Sequence, residues 1–488
     1  MRHGRRSRHR STSRRTPRHA GFCVPPRHEG PGGHDGRGPA GAGTHPLTKI
    51  RVLAARVLLG VHHGRSTLAT EIDRARRSLS DERDRGLLLE LTAGVCRWRA
   101  ELDACLAPFS QRPIEEIDPP LLATLRVAMY QLRHLDRVPA HAVVHESVEA
   151  ARTLGNPRAA GFVNGILRAY LRATDTVVLP PRPQADSTRR QHLAYLSTTL
   201  SHPRWLVARW LDRYGFDDTE RWCQFNNAAP EVTVRARLPD VDALTVVQDA
   251  GVAATRGHYA PEVARLAPGL LGSLAPELRK ELVVQDEGSI AVAHAVGAKP
   301  GERVLDVCAA PGGKTVILWN DMAHQGCLVA TDARAPRVQV LRQVLQDAAV
   351  PEQIAVVDAT SPLPFGEVFD RVFVDVPCSG LGTLRRDPDV KWAVTLESLP
   401  GLIATQRRIL AHAAAAVRPG GTLVYATCSS EPDENDDVVD EFLASNPRFH
   451  EHALTGELVD DRGRLRTTPT HHGLDAFFAA RLVRYEGA

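Results

Sequence analysis

The sequence predicts a multidomain protein: an all-α unit in front, a small α+β region in the middle, and a C-terminal α/β unit built on a parallel sheet. Three observations carry this. Apolar residues recur at helical spacing from Leu47 to about Ala173, a Pro-rich break follows over 175–190, and strand-like runs alternate with helical stretches after residue 286. A length of 488 residues accommodates several cores, and 43% hydrophobic with 24% charged residues is ordinary globular composition.

The net charge of +4 hides an asymmetry, because residues 1–50 carry +9 and the remainder −5. Residues 1–46 hold too little apolar surface to offset the entropy of ordering, so a disordered basic tail is expected there, either attracting RNA phosphates or inert. No stretch approaches the ~18 apolar residues of a membrane helix, and no signal-peptide core opens the chain, so no membrane partner and a cytoplasmic location are expected. The eight Cys are scattered without a CxxC pair, which argues against a disulfide framework and against a metal site. A special cysteine here would be a nucleophile.

Over 47–174, Val52, Ala55, Val57, Leu58 and Val61 form one apolar face, Leu87, Leu88, Leu91, Val95 and Trp98 a second, and Leu121, Leu122, Leu125, Val127, Met129, Leu132 and Leu135 a third. Breaks fall at Pro113, Pro119-Pro120, Pro139 and Asn156-Pro157, giving six or seven helices. Gly94, Val95, Leu102, Asp103, Leu125, Arg126, Tyr130, Gln131, Pro139, Val143, Glu146, Phe162, Val163, Asn164 and Leu167 stand where this unit resembles the RNA-binding antitermination domain NusB. The resemblance implies RNA affinity. Residues 175–190 read as a linker. Residues 191–285 begin helical and turn strand-like at VTVRARL, a small α+β connecting or RNA-binding region similar to the segment that precedes the catalytic domain in one RNA methyltransferase family.

In the α/β unit, 286–488, strands are predicted at 302–308, 327–332, 354–358, 370–376 and 422–428. Ligands of such sheets gather at the carboxyl ends of the strands. The first end reads Asp306-Val307-Cys308-Ala309-Ala310-Pro311-Gly312-Gly313-Lys314-Thr315, where two glycines permit close backbone approach and a following helix offers free amides. GKT hints at a P-loop, but the Gly that motif needs at 308 is Cys, and no GxGxxG occurs. Acids close the next strands: Asp332 is placed for ribose hydroxyls, Asp358 for an adenine amino group and Asp375 for the reaction centre. Together these match an S-adenosylmethionine pocket of a Rossmann-like methyltransferase.

Cysteines stand at two further ends, in Asp375-Val376-Pro377-Cys378-Ser379 and Ala426-Thr427-Cys428-Ser429. Carbon 5 of cytosine is a poor nucleophile. A thiolate added at carbon 6 makes the ring enamine-like and able to take a methyl group, while a carboxyl group, for which Asp375 is the candidate, hydrogen-bonds ring nitrogen 3. A base then removes the carbon 5 proton. The residues leave open which thiol attacks, because DNA cytosine methyltransferases use a Pro-Cys thiol.

DVCAAPGGKT, DVPCSGLGTLRRDPDVKW and YATCSSEPDEND together resemble the RNA 5-methylcytosine methyltransferase family, and the NusB-like unit in front is similar to that of its small-subunit rRNA members. The resemblance implies that Cys428 is the nucleophile and that Cys378 assists product release. It further implies that Cys308 through Lys314, with Asp332, Arg337, Asp358 and Asp375, surround S-adenosylmethionine, and that Arg385, Arg386, Lys391 and Trp392 meet RNA. Two departures stand out: Pro336 is expected to shorten the helix after Asp332, and Ala476 replaces a common Gly. The implied partner is 16S rRNA, free or in small-subunit assembly intermediates, bound by a monomer. The rivals are the same chemistry on tRNA or another RNA, and a non-catalytic RNA-binding or antitermination factor.

Overall fold

The structure, a computed structural model, describes residues 46–487 apart from 65, 156, 157, 185 and 352. The basic tail expected over 1–46 lies, but for Pro46, outside these residues, as does the Asn156-Pro157 break.

Among the described residues, six α-helices form the first unit: α1 (Pro46–His62), α2 (Leu68–Arg76), α3 (Glu82–Leu106), α4 (Pro119–His134), α5 (Ala140–Leu154) and α6 (Ala159–Arg172). The apolar faces converge on one core in which Leu88, Leu91, Leu102, Leu125, Met129, Val143, Val163 and Leu167 are fully buried. Prolines stand at the starts of α4 and α5. Pro119 and Pro120 occupy the first turn of α4 and Pro139 caps α5, positions where a missing N–H costs no helical hydrogen bond.

The Pro-rich segment does not run free. Val177 and Leu179 pack on the helical core, Thr199 Oγ1 donates to Pro180 O at 2.6 Å, and Arg182 pairs with Glu220 at 2.7 Å. The region expected as one small α+β unit divides in two. Helices α7 (Arg189–Ala194) and α8 (Arg204–Asn227) share a core with Leu381, Leu384 and Ala476 of the α/β unit through Leu193, Trp210 and Trp222. The strands β1 (Val232–Ala236), β2 (Ala254–Arg256), β3 (Val263–Leu266) and β4 (Leu282–Val284), with α9 (Ala243–Asp249) and α10 (Pro276–Glu281), build an antiparallel sheet of order β2-β3-β1-β4 over its own core.

The α/β unit follows as α11 (Glu287–His294), β5 (Arg303–Asp306), α12 (Gly313–Asp321), β6 (Cys327–Asp332), α13 (Ala335–Asp347), β7 (Ile354–Val356), β8 (Phe369–Asp375), α14 (Val390–Ala393), α15 (Leu399–Ala414), β9 (Val417–Thr427), α16 (Asp436–Ser445), β10 (Phe449–Glu451), β11 (Leu465–Arg466) and β12 (Phe478–Arg484). All five predicted strands are present. The sheet runs β10-β12-β9-β8-β5-β6-β7, parallel from β9 to β7 and antiparallel at β12 and β10, so it is mixed. Periodicity does not separate the short C-terminal strands from loops. Pro336 sits in the first turn of α13, where proline is tolerated, and the helix still spans 13 residues.

The central strands are covered on both faces, and their side chains alternate accordingly. Val304, Phe373 and Val424 enter the core on one side, while Leu305, Val372, Val374, Leu423 and Tyr425 enter the core on the other. The chain runs outward from β5 to β7 and then returns to place β8 on the opposite side of β5. That reversal opens a crevice beyond the ends of β5 and β8. Among the described residues, no helix is long and apolar enough to cross a membrane.

Candidate active site

The loop after β5 forms one wall of the crevice. Gly312 holds φ +114°, which strains any other residue, and a Cβ there would stand 2.9 Å from Leu341 Cδ1, whose side chain would have to shift. α12 begins at Gly313, leaving its first amides free at the crevice. Ala309 N donates to Thr331 O at 2.8 Å, and Arg337 donates to Ala310 O, so the loop is held against β6 and α13. Arg235, buried in β1, reaches Gly313 O at 3.2 Å and ties the antiparallel sheet to the same loop.

Acids stand at the strand ends around the glycine loop. Asp332 is nearly buried, accepts from Arg334 N at 3.0 Å and has Arg337 Nε at 3.5 Å. Asp358 is exposed beyond β7, and its Oδ1 accepts from Thr360 N and Oγ1, which holds its carboxyl below the usual range. Asp306 stands out in sequence only as the end of a strand. The structure buries it with one oxygen on Thr315 Oγ1 at 2.7 Å and the other unpartnered, and burial pushes its carboxyl up to about 7. Its place at the head of the glycine loop is the signal that could have marked it. S-adenosylmethionine presents an ammonium, ribose hydroxyls and an adenine amino group. The strand-end acids Asp332 and Asp358, the unpartnered buried oxygen of Asp306 and the glycine loop fit that donor set.

Asp375 ends β8, and Lys314 Nζ from the β5 loop meets its Oδ2 at 2.7 Å. Burial pulls the Lys314 ammonium down, but Asp375, with smaller help from Cys428, more than offsets it, so its pKa is raised. Parallel pairing sets Asp375 opposite Ala426, which brings the residues just past both strand ends together. Cys378 Sγ and Cys428 Sγ lie 3.3 Å apart, and both residues are partly exposed. The hydrogen bond with Cys428 and burial push the Cys378 thiol up. Burial does the same to Cys308, whose side chain packs against the core. Gly382 N donates to Cys428 O at 3.0 Å, and a Cβ on Gly382 would stand 2.1 Å from Ala476 O.

Of the expected RNA contacts, Lys391 is corrected, and Arg385, Arg386 and Trp392 have partners within the protein. Lys391 is 1% exposed and its ammonium donates to Arg97 O and Asn227 Oδ1, so it cannot meet a phosphate without leaving the core. Burial lowers its pKa to about 7. Trp392 Nε1 donates to Cys96 O at 2.6 Å beneath the Arg99 guanidinium. Arg385 stacks on Phe225 and donates to Ala229 O, while Arg386 pairs with Asp286 and Asp475. Asp389 accepts from Leu68 N at 3.0 Å. Residues 385–392 therefore join the helical unit and α8 to the catalytic sheet.

A doubly wound sheet with a glycine loop after its first strand and acids at the following ends is the fold of the Rossmann-like methyltransferases. Family models add detail: 16S rRNA methyltransferase RsmB/F matches residues 293–483, the NusB family 48–172, and a ferredoxin-like domain of RsmF/B-like methyltransferases 202–270. Ribosomal RNA small subunit methyltransferase B of Pseudomonas putida is 34% identical over 442 residues, 89% of this chain and 98% of the relative. The methyltransferase of the same name from Vibrio vulnificus is 32% identical over 444 residues, 89% of this chain and 99% of the relative. The crystal structure of PH0851 superposes with a TM-score of 0.76 at 23% identity, over 90% of this chain and 99% of that one. The chain belongs to the RsmB/F family of 16S rRNA methyltransferases and carries that family's NusB and ferredoxin-like domains.

Proposed function

We propose that this protein methylates carbon 5 of a cytosine in 16S rRNA with S-adenosylmethionine, through a covalent bond between Cys428 and carbon 6 of the base. The observation that carries this is the 3.3 Å pairing of two thiols at adjacent strand ends beside the Lys314–Asp375 pair. When bound, S-adenosylmethionine supplies an electrophilic methyl group. Asp332 and Asp358 would hold its ribose and adenine, and the loop from Cys308 to Lys314 its methionine part. Arg337 braces that loop. Lys314 and Asp375 offer the base a proton donor and an acceptor side by side. Cys428 attacks carbon 6, which leaves carbon 5 able to take the methyl group. Cys378, the second thiol, serves the step in which carbon 5 loses its proton and Cys428 departs. The NusB domain and the rRNA-methyltransferase relatives favour 16S rRNA as the substrate. The reading takes that RNA free or in assembly intermediates, in the cytoplasm, with the chain acting as a monomer.

The test is transfer of labelled methyl from S-adenosylmethionine to protein-free 16S rRNA, followed by nucleoside analysis and bisulfite sequencing. One 5-methylcytosine in 16S rRNA is expected. Label in tRNA alone discards the substrate, and binding without transfer favours the RNA-binding factor.

A further inference from the structure

One buried carboxylate outside the steps above touches both cysteine loops. Glu434 ends the short turn Pro432–Glu434 and is fully buried. Its Oε1 accepts from Ser379 N at 2.8 Å and from Gln406 Nε2 at 2.8 Å. Its Oε2 accepts from the hydroxyls of Ser379 and Ser429. Ser379 follows Cys378 and Ser429 follows Cys428, so one side chain clasps the two loops. Its neighbour Asn435 donates to Ser429 O at 3.0 Å, and Tyr425 OH donates to Glu434 O at 2.6 Å, which fixes the clasp to β9.

Four hydrogen bonds satisfy Glu434, but among the described residues no cation pairs with it. A buried charge of this kind projects its field onto nearby titratable groups with little screening. The nearby thiol is Cys378, which the Glu434 charge helps keep protonated. The cation of the site, Lys314, interacts instead with Cys428. Glu434 takes two of its bonds from Ser379, beside Cys378, and one from Ser429, beside Cys428, and the two sulfurs are close enough to share a proton.

We propose that Glu434 is a positioning residue that ties the two cysteine loops together and, lying against the Cys378 loop, keeps the shared proton on Cys378, so that Cys428 is the sulfur that attacks. This rests on Cys428 being the nucleophile, and its test needs neither RNA nor S-adenosylmethionine. The intact chain is pulsed with limiting iodoacetamide, and alkylation of each cysteine is followed by peptide mass spectrometry, since alkylation reports thiolate fraction.

In the wild type Cys428 reacts first. E434Q keeps the shape, and the two serine hydroxyls can turn to accept from the amide. The ratio of Cys428 to Cys378 labelling is expected to fall about tenfold, one unit of relative thiol acidity. E434D, which keeps the charge, retains most of it. In methylation assays E434Q lowers kcat at unchanged KM for RNA, and E434D recovers part of the rate. A ratio unchanged in folded E434Q overturns the electrostatic role, and Cys378 reacting first in the wild type overturns both this role and the nucleophile assignment. Should E434Q fail to fold, Ser429→Ala decides. It breaks one arm of the clasp without touching the charge: a several-fold loss of kcat at constant KM supports the tie, and an unchanged kcat overturns it.

Discussion

Cys428 directs its backbone N–H at Cys378 Sγ from 3.4 Å, and the two sulfurs stand 3.3 Å apart. The proposed mechanism divides two roles between these thiols. Cys428→Ala is expected to abolish methyl transfer, and Cys378→Ala to accumulate a covalent protein–RNA adduct visible as a slow band on denaturing gels. An adduct in Cys428→Ala and none in Cys378→Ala would exchange the roles.

Asp332 closes β6 with one oxygen on Arg334 N and the other facing Arg337 of α13, and the proposed function gives it the ribose of the cofactor. Asp332→Ala is expected to weaken S-adenosylmethionine binding about 10- to 100-fold, the worth of a hydrogen bond to a charged group. Calorimetric titration checks this. An unchanged Kd would remove Asp332 from the cofactor site.

Lys391 serves the domain junction. Lys391→Met is therefore expected to leave the salt dependence of RNA binding as it is in the wild type. Removing a cation that neutralises a phosphate of single-stranded RNA would instead lower the slope by about 0.7. Binding isotherms at several salt concentrations distinguish the two, and a reduced slope would restore Lys391 as an RNA-binding residue.

His294, at the end of α11, bridges Glu262 at 2.9 Å and Asp321 at 3.0 Å and so pins the antiparallel sheet to α12. Burial lowers its pKa, but the two carboxylates more than offset this and raise it to about 9 from 6.5. The folded chain holds this proton more tightly than the unfolded one. The stabilisation is therefore complete below about pH 6.5 and is lost as pH rises through about 9. Thermal melts should show Tm falling over that window, and His294→Gln should flatten this part of the profile. An equal decline in the variant would assign it to other groups.

Strands β5, β6 and β8 are legible in the sequence because buried parallel strands are short apolar runs with an acid or cysteine at the end. The antiparallel strand β12 is not, although it pairs with β9 over six residues, because its edge-side partners are two- and three-residue strands with no periodicity of their own. Lys391, in the stretch from Arg385 to Trp392, misleads for another reason. Cations and an indole in a motif look the same in sequence whether they face RNA or backbone carbonyls, and Cys96 O and Arg97 O lie nearly 300 residues away in the chain. Glu434 is invisible at that level because a lone acid after a cysteine motif carries no sign that it will bind two loops.

By itself the sequence determined the order of domains, the sheet's strand ends, the glycine loop and which residue types stand at each end. Those follow from local periodicity and from the steric demands of turns. Only the tertiary structure decided which ends are neighbours. The β5-to-β8 reversal puts Lys314 on Asp375, the β8–β9 pairing puts Cys378 on Cys428, and burial turns Lys391 from a candidate RNA-binding residue into a bolt between domains. Proximity and desolvation arise from contacts between distant segments, so no window of sequence contains them.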